Sequence, residues 1–442
     1  MSHQDRRHRA TSPASLEAVF AWLLPSDFQF VRHGNASITP MILIAQAIAT
    51  WGWAAGRTLS GRFDTATAAI RQIFPGQLVA TRQGLCQALA TCGDELVGQL
   101  RARIADRLQN LKGYWRTAGR PTFAIDGSKF AAPRTAANQQ AFAALAGDVS
   151  SANYDDPAAA SKANTVQLLL TMFWHIGSGL PINWRLAPST GSERNLAMEM
   201  LDELPPDARI VADAEYVGYP LWSAIVESRR AFAIRIGSNI TLLKKLKVRC
   251  RTDVVYFWPQ RARQQGQPPL VLRLVPVQGP RSVVWLLTNE YDLADQQIAE
   301  LYLARWGIEM FFRTVKQSCG KAKLLCRTPD NVRTELQWTL LGIWISLFIA
   351  KQHFREQGQS LRSLSPVQVM DAFAHALMIT AYSGSATQAL LHLYSCLKAD
   401  ESHRTTGKAS RNYPRKKRHT SCGPPKISLA TKEEQRRAKQ FL

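Results

Sequence analysis

The stretch from Leu301 to Lys316, Leu-Tyr-Leu-Ala-Arg-Trp-Gly-Ile-Glu-Met-Phe-Phe-Arg-Thr-Val-Lys, constrains the chain more than any other. At the helical step of about 100° per residue, Lys316 and Tyr302 fall about 20° either side of Glu309, and Arg305 about 40° away. A carboxylate, two cations and a phenol therefore share one narrow stripe. Trp306, Ile308, Met310, Phe311 and Val315 take most of the remaining circumference, which predicts one continuous, buried helix. A charged stripe on a buried helix needs partners or a ligand. The spacing by itself is also met by an internal Arg–Glu–Lys ladder.

Two aspartates far upstream sharpen the choice. Thr122-Phe123-Ala124-Ile125-Asp126-Gly127 reads as a short apolar strand ending in an acid and a glycine, and Arg209-Ile210-Val211-Ala212-Asp213 ends the same way. One such Asp usually caps a turn. Two of them with the acid of the helix make the set of oxygen donors that a hard divalent cation needs.

The spacing Tyr302-x2-Arg305-x3-Glu309-x6-Lys316 resembles the Tyr-Arg-Glu-Lys signature of DDE transposases of the insertion-sequence-four group. Ile125-Asp126-Gly127-Ser128, Ala212-Asp213 and Trp285-Leu286-Leu287-Thr288-Asn289 precede it in the family order, and the likeness covers roughly residues 118 to 350. The resemblance implies an α/β, RNase H-like catalytic core interrupted by a β-rich insertion. It carries Asp126, Asp213 and Glu309 onto the catalytic, metal-binding carboxylates, with two Mg2+ ions, or Mn2+ in their place, per site. It gives Tyr302, Arg305 and Lys316 to DNA phosphates beside the scissile bond. Trp285 takes the place of a tryptophan that stacks a flipped base during hairpin formation, with Trp258 in reserve; an ordinary core position for Trp285 is an even alternative. Double-stranded DNA with terminal inverted repeats, target DNA and a homodimer that synapses two ends are the implied partners. An inactive DNA-binding derivative, or a nuclease of the same core without strand transfer, remains open.

Charge agrees with a polyanionic partner: 55 Lys and Arg stand against 33 Asp and Glu, a formal net charge of +22. Twelve tryptophans and a hydrophobic content of 46% exclude a disordered basic chain. Cys86, Cys92, Cys250, Cys319, Cys326, Cys396 and Cys422 are scattered, with no Cys-x-x-Cys, which argues against a zinc site or a disulfide framework and fits a reducing cytoplasm, where the family's bacterial members work on the nucleoid. Met1 to Arg7 leads into no apolar signal region. Leu336 to Ala350 is apolar but short for a membrane span, so a buried helix is expected and no membrane partner.

Six segments follow in order. Residues 1–117 are helical and the candidate reader of element ends, with a long amphipathic helix from Gln83 to Leu111; a platform for the core is the alternative. Residues 118–236 alternate strand and helix as the first part of the core, with a long loop from Ala131 to Asn164 and a helix opening at Ser192 and Glu193. Residues 237–282 form the insertion, a hairpin of Val254–Trp258 and Leu270–Leu274 crowded with Lys244, Lys245, Lys247, Arg249, Arg251, Arg261, Arg263, Arg273 and Arg281. Residues 283–355 return to the core with the last strand and the signature helix. Residues 356–398 are a C-terminal helical region, read as one helix from Pro366 to Leu397. Residues 399–442 form a weakly ordered basic arm.

Overall fold

In the computed structural model the alternating segments assemble into one mixed sheet of ten strands flanked by helices. The structure describes residues 12–13, 16–23, 39–74, 76–109, 113–142, 166–246, 254–279, 282–361, 363–399 and 423–441. Lys162, Lys247, Arg249, Arg251 and Arg281, together with most of the long loop and residues 400–422 of the basic arm, lie outside these.

The strands are β1 (Thr122–Ala131), β2 (Gln167–His175), β3 (Leu180–Pro188), β4 (Arg209–Ala212), β5 (Ala231–Ile236), β6 (Thr241–Lys244), β7 (Val254–Phe257), β8 (Leu270–Gln278), β9 (Val283–Thr288) and β10 (Lys426–Leu429). Their order is β10-β6-β7-β8-β9-β5-β4-β1-β2-β3. β1, β2 and β3 form an antiparallel meander, whereas β1, β4 and β5 run parallel. β2 is buried along almost its whole length, as an unbroken apolar run demands when both faces of a sheet are covered. Arg209, 1% exposed, makes a two-pronged bond to Glu290, Nε to Oε2 at 2.5 Å and Nη2 to Oε1 at 2.9 Å, tying the start of β4 to the turn after β9.

The helix Pro329–Glu356 forms the axis of the helical layer and is buried from Leu336 to Ala350 except at Gln337, as its apolar run predicts. It crosses a π-helical turn, Ile48–Trp53, where a Cβ added at Gly52 would stand 2.7 Å from the Gly342 Cα. Trp53 Nε1 donates to the Gly342 carbonyl at 3.2 Å and to Ser346 Oγ at 2.7 Å across the same crossing. The N-terminal helices, including Arg82–Gln109, thus pack against the central helix.

Several expectations need correction. The strand carrying Asp126 runs on to Ala131 instead of ending at the acid. β7 and β8 pair antiparallel, the hairpin expected of the insertion, and in addition continue the main sheet through β9. The region read as one helix from Pro366 is two, Pro366–Ser383 and Ala386–Cys396, separated at Gly384, whose φ of +73° suits glycine. Within the basic arm, β10 adds to β6 in parallel and a helix, Lys432–Ala438, follows. Glu434 there pairs with Arg263, and Phe441 meets Trp258 edge-on at 6.1 Å.

The signature segment departs most. It is three pieces: a helix Asp295–Ala304, a helix Trp306–Arg313 and a π-helical turn Thr314–Ser318. At the joint, Arg305 N bonds Tyr302 O at 3.2 Å and Ile308 N bonds Arg305 O at 3.0 Å, the tighter i to i+3 pattern. Gly307 lies so close to Trp174 that a Cβ would overlap the ring. Ile308, Phe311 and Val315 are buried as expected, but Trp306 is 58% exposed, and Leu303 and Met310 are exposed with it.

Candidate active site

The parallel pairing of β1 and β4 brings the two aspartates together. Ala124 sits opposite Val211 at the end of the pairing, so Asp126 in β1 and Asp213 just past β4, each two residues farther on, leave the same end of the strand pair, close enough for the Asp213 charge to act on Asp126. Asp126 is half-buried and its Oδ1 accepts from the Gly127 amide at 2.9 Å. Asp213 leaves the sheet and caps the short turn Ala214–Tyr216, its Oδ1 accepting from the Glu215 amide at 2.9 Å. Burial, then the Asp213 carboxylate, raise the Asp126 pKa to about 7 against the opposing pull of Arg305, and Glu193 adds to the rise.

Glu193, expected only as an acid at a helix start, joins the two aspartates here. It opens the helix Glu193–Glu199 after β3, and its carboxylate lies over Gly127, where a Cβ would overlap it. Tyr216 Oη, fully buried, donates to Glu193 Oε2 at 2.9 Å. Burial, followed by Asp213 and Glu215, pushes the Glu193 carboxyl up despite the Tyr216 bond. The available signal was positional: an acid at the first turn of the helix between the two aspartate strands.

The cationic side comes from the signature segment. Arg305 is 8% exposed; its Nη2 holds Glu309 Oε1 at 2.6 Å, and its guanidinium lies 5.5 Å from the centre of the Tyr302 ring. Its Nε and Nη1 are buried and have no hydrogen-bond partner among the described residues. Burial raises the Tyr302 pKa against the opposing effects of Arg305 and Arg235. Lys316, in the π-helical turn, rests 5.0 Å from the Phe130 ring centre; burial lowers its pKa, with Asp126 acting against the shift. Tyr302, Arg305, Asp126 and Asp213 thus share one electrostatic neighbourhood, with Lys316 joined to it through Asp126.

Glu309 is one-third exposed and engaged by Arg305. Among the described residues, no three His, Cys, Asp or Glu side chains stand close enough to hold a metal ion. The chemistry nonetheless fits a hard divalent cation: the acids offer only oxygen donors, and burial followed by the neighbouring Asp213 carboxylate raises Asp126, a destabilisation of its charged form that a cation would relieve.

The two tryptophans differ. Trp258 is 2% exposed and donates through Nε1 to the Gln267 carbonyl at 2.7 Å, a core residue. Trp285 is half-buried against the main core, opposite Pro276 and Ile236. Its neighbour Leu286 belongs to a small cluster with Ile298 against which Tyr302 packs, so alternation turns Trp285 to the other face of the sheet. No helix among the described residues is long and apolar enough to cross a membrane.

In this α/β protein one aspartate within β1 and one just past the end of β4 thus lie within the electrostatic reach of a buried arginine. The family model for the transposase DDE domain matches residues 117–345, more than half of the chain, and the chain belongs to that family. It is 22% identical over 313 residues to transposase InsG of insertion sequence element IS4 from Escherichia coli (strain K12), covering 67% of this chain and 65% of that protein. It is 25% identical over 165 residues to a transposase of insertion sequence element IS5377 from Geobacillus stearothermophilus, covering 36% of this chain and 44% of that one. The matches span less than two thirds of either relative. A cryo-EM structure of a piggyBac transposase synaptic complex with hairpin DNA aligns with 90% of this chain and 84% of its own, at 13% identity and a TM-score of 0.39, a likeness too weak to define the fold.

Proposed function

We propose that this chain is a DNA transposase that cleaves element ends in a metal-dependent step and joins the freed 3′ end to target DNA. The observation that carries the reading is Arg305: a buried guanidinium beside two aspartates, with two donors that have no partner among the described residues, can give charge-assisted hydrogen bonds to phosphate oxygens. The segment β3-β2-β1-β4-β5, antiparallel then parallel, supports an RNase H-like core in 118–236 and 283–355, with β6 to β8 as the insertion.

Asp126, Asp213 and Glu309 would hold the cation pair, Mg2+ or Mn2+. Bound there, the two ions supply activation of water or a 3′-hydroxyl and neutralise charge on the leaving oxygen. Arg305 contacts the scissile phosphate through its guanidinium, Tyr302 supports the guanidinium through its ring, and Lys316 adds a point charge. Trp285 is assigned to base stacking in a hairpin pathway. The basic insertion and C-terminal segment contact DNA backbone, residues 1–117 recognise element ends, and a homodimer synapses two of them.

The test incubates the full chain with DNA carrying the element's terminal repeats, with Mg2+, Mn2+ or EDTA, and resolves nicked, hairpin and joined products. Metal-dependent nicking followed by joining is expected. Binding without cleavage would leave a DNA-binding derivative; cleavage without joining would leave a nuclease. Binding should fall steeply with salt through counterion release, as +22 charges predict.

A further inference from the structure

The strap that follows the signature segment, residues 321–326, hangs on one buried carboxylate. Glu335, fully enclosed in the helix Pro329–Glu356, takes the Lys321 ammonium on Oε1 at 3.1 Å. Its Oε2 accepts from the amides of Leu325 at 2.8 Å and Cys326 at 3.0 Å. Lys321 is itself only 2% exposed. Two of the strap's other attachments lead to the site. The amides of Lys321 and Ala322 bond the carbonyls of Val315 and Lys316 at 3.2 and 3.1 Å. The strap also pairs with the end of β1, where Ala131 N donates to Ala322 O at 3.2 Å and Leu324 N to Ala131 O at 2.8 Å. Lys316 and the Phe130 ring on which its ammonium rests are therefore both pinned by the same six residues.

A buried ion pair is a weak source of stability, because desolvating two charges offsets much of their attraction. An apolar pair would fill the space but leave the Leu325 and Cys326 amides without their acceptor. What the carboxylate supplies is direction, three bonds that fix one short strap. We propose that Glu335 is a positioning residue: through Lys321 and the strap it sets where the Lys316 ammonium stands relative to Asp126 and a DNA phosphate. The proposal rests on the reading of Lys316 as a phosphate contact given above. Glu335, being fully buried, touches no DNA and acts only through Lys316.

A double-mutant cycle tests it on the full chain with a duplex carrying the element's terminal repeat. Nicking is followed in Mg2+ and affinity for the same duplex in EDTA, so the test does not depend on cleavage alone; Tm shows that each variant is folded. Glu335→Gln keeps the volume and an acceptor for the amides and leaves Lys321 without its counter-charge. It should slow nicking about tenfold to a hundredfold, the scale of a misplacement of about 1 Å. Glu335→Asp keeps the charge and retracts the carboxylate by one methylene; it should act in the same direction, and it takes the place of Glu335→Gln in the cycle if that variant does not fold. Combined with Lys316→Ala, either change should add nothing to the loss from Lys316→Ala alone, in nicking and in affinity, because residues that act as one unit are not additive. Losses that multiply overturn the inference, since Glu335 then supports the fold and not Lys316. Wild-type nicking and affinity in both Glu335 variants overturn it as well. If Lys316→Ala itself matches wild type in both measurements, the phosphate reading of Lys316 is rejected and this inference with it, while the roles of Asp126, Asp213 and Arg305 stand.

Discussion

Arg305 Nη2 lies 2.6 Å from Glu309 Oε1, one helical turn on, so the stripe of the signature segment is partly paired with itself. The pairing is incomplete. Arg305 keeps two buried donors without partners among the described residues, and Lys316 lies over the Phe130 ring. An internal ladder alone would leave neither feature, since a buried unpaired donor costs about 1–3 kcal/mol. A phosphate group that takes up those donors is the simplest occupant.

Asp126→Ala, Asp213→Ala and Glu309→Ala should each reduce cleavage by on the order of 10³-fold, about 4 kcal/mol of barrier, while end binding stays near wild type. A gel-shift assay run beside a cleavage gel checks both halves. Loss of binding in step with cleavage would make that residue a DNA contact.

Arg305→Ala should weaken binding of a short element-end duplex by about 1.5–3 kcal/mol, roughly tenfold to a hundredfold, through lost charge-assisted hydrogen bonds. Arg305→Lys keeps the charge without the fork and should recover only part of the cleavage rate. Full recovery by Lys would mean that Arg305 acts only as a charge.

The aspartates were legible because a strand-end acid is visible in a linear pattern, and the β1–β4 pairing then brought them to the same end of the strand pair. Glu193 was not, because an acid at a helix start has an ordinary explanation in the helix dipole, and only tertiary structure sets it over Gly127. Periodicity could not see the joint at Arg305, beside which Gly307 approaches Trp174, nor that Trp306 faces solvent while Ile308 is buried. β10 was illegible for another reason. Lys426 to Leu429 is exposed throughout and owes its place to pairing with β6, not to an apolar pattern of its own.

The metal-free protein should lose stability as pH rises. The Asp126 pKa goes from about 3.9 in the unfolded chain to about 7 in the folded protein. Its contribution is therefore full below about pH 4 and is lost as pH climbs through 7, where the folded state must surrender a proton that the unfolded state has already released. Thermal unfolding in EDTA from pH 4 to 8 should show wild type falling relative to Asp126→Asn. Parallel profiles would mean that Asp126 is not crowded.

Gly52→Ala should destabilise the protein by about 1–3 kcal/mol, the usual cost of overpacking, because the new Cβ meets backbone and not a flexible side chain. The distance to the Gly342 Cα is 2.7 Å, and a methyl at Gly342 meets Gly52 at 2.6 Å. Chemical denaturation checks it, with Gly98→Ala as control, since a Cβ there meets nothing within 4 Å. A wild-type midpoint for Gly52→Ala would mean that the two helices separate at little cost.

The last prediction concerns which tryptophan meets an extruded base. If Trp285 stacks it, Trp285→Ala should spare the first nick, which needs only the acids and the cation. It should slow hairpin formation by roughly tenfold to a hundredfold, for a stacking surface of about 1–3 kcal/mol. The structure changes the choice of control. Trp258 is fully enclosed and hydrogen-bonded, so Trp258→Ala should cost about 3–5 kcal/mol of stability and report on folding instead of base capture. Trp306 is the better comparator, being 58% exposed and next in sequence to Arg305, whereas Trp285 lies on the sheet face away from Tyr302. A gel resolving nick, hairpin and released end decides among them. A delay confined to Trp285→Ala supports its assignment, and a delay confined to Trp306→Ala moves the stacking role to the signature segment. An unfolded Trp285→Ala makes Trp285 a packing residue. If the wild type forms no hairpin, neither tryptophan has a base to hold, and release must proceed by separate strand cuts.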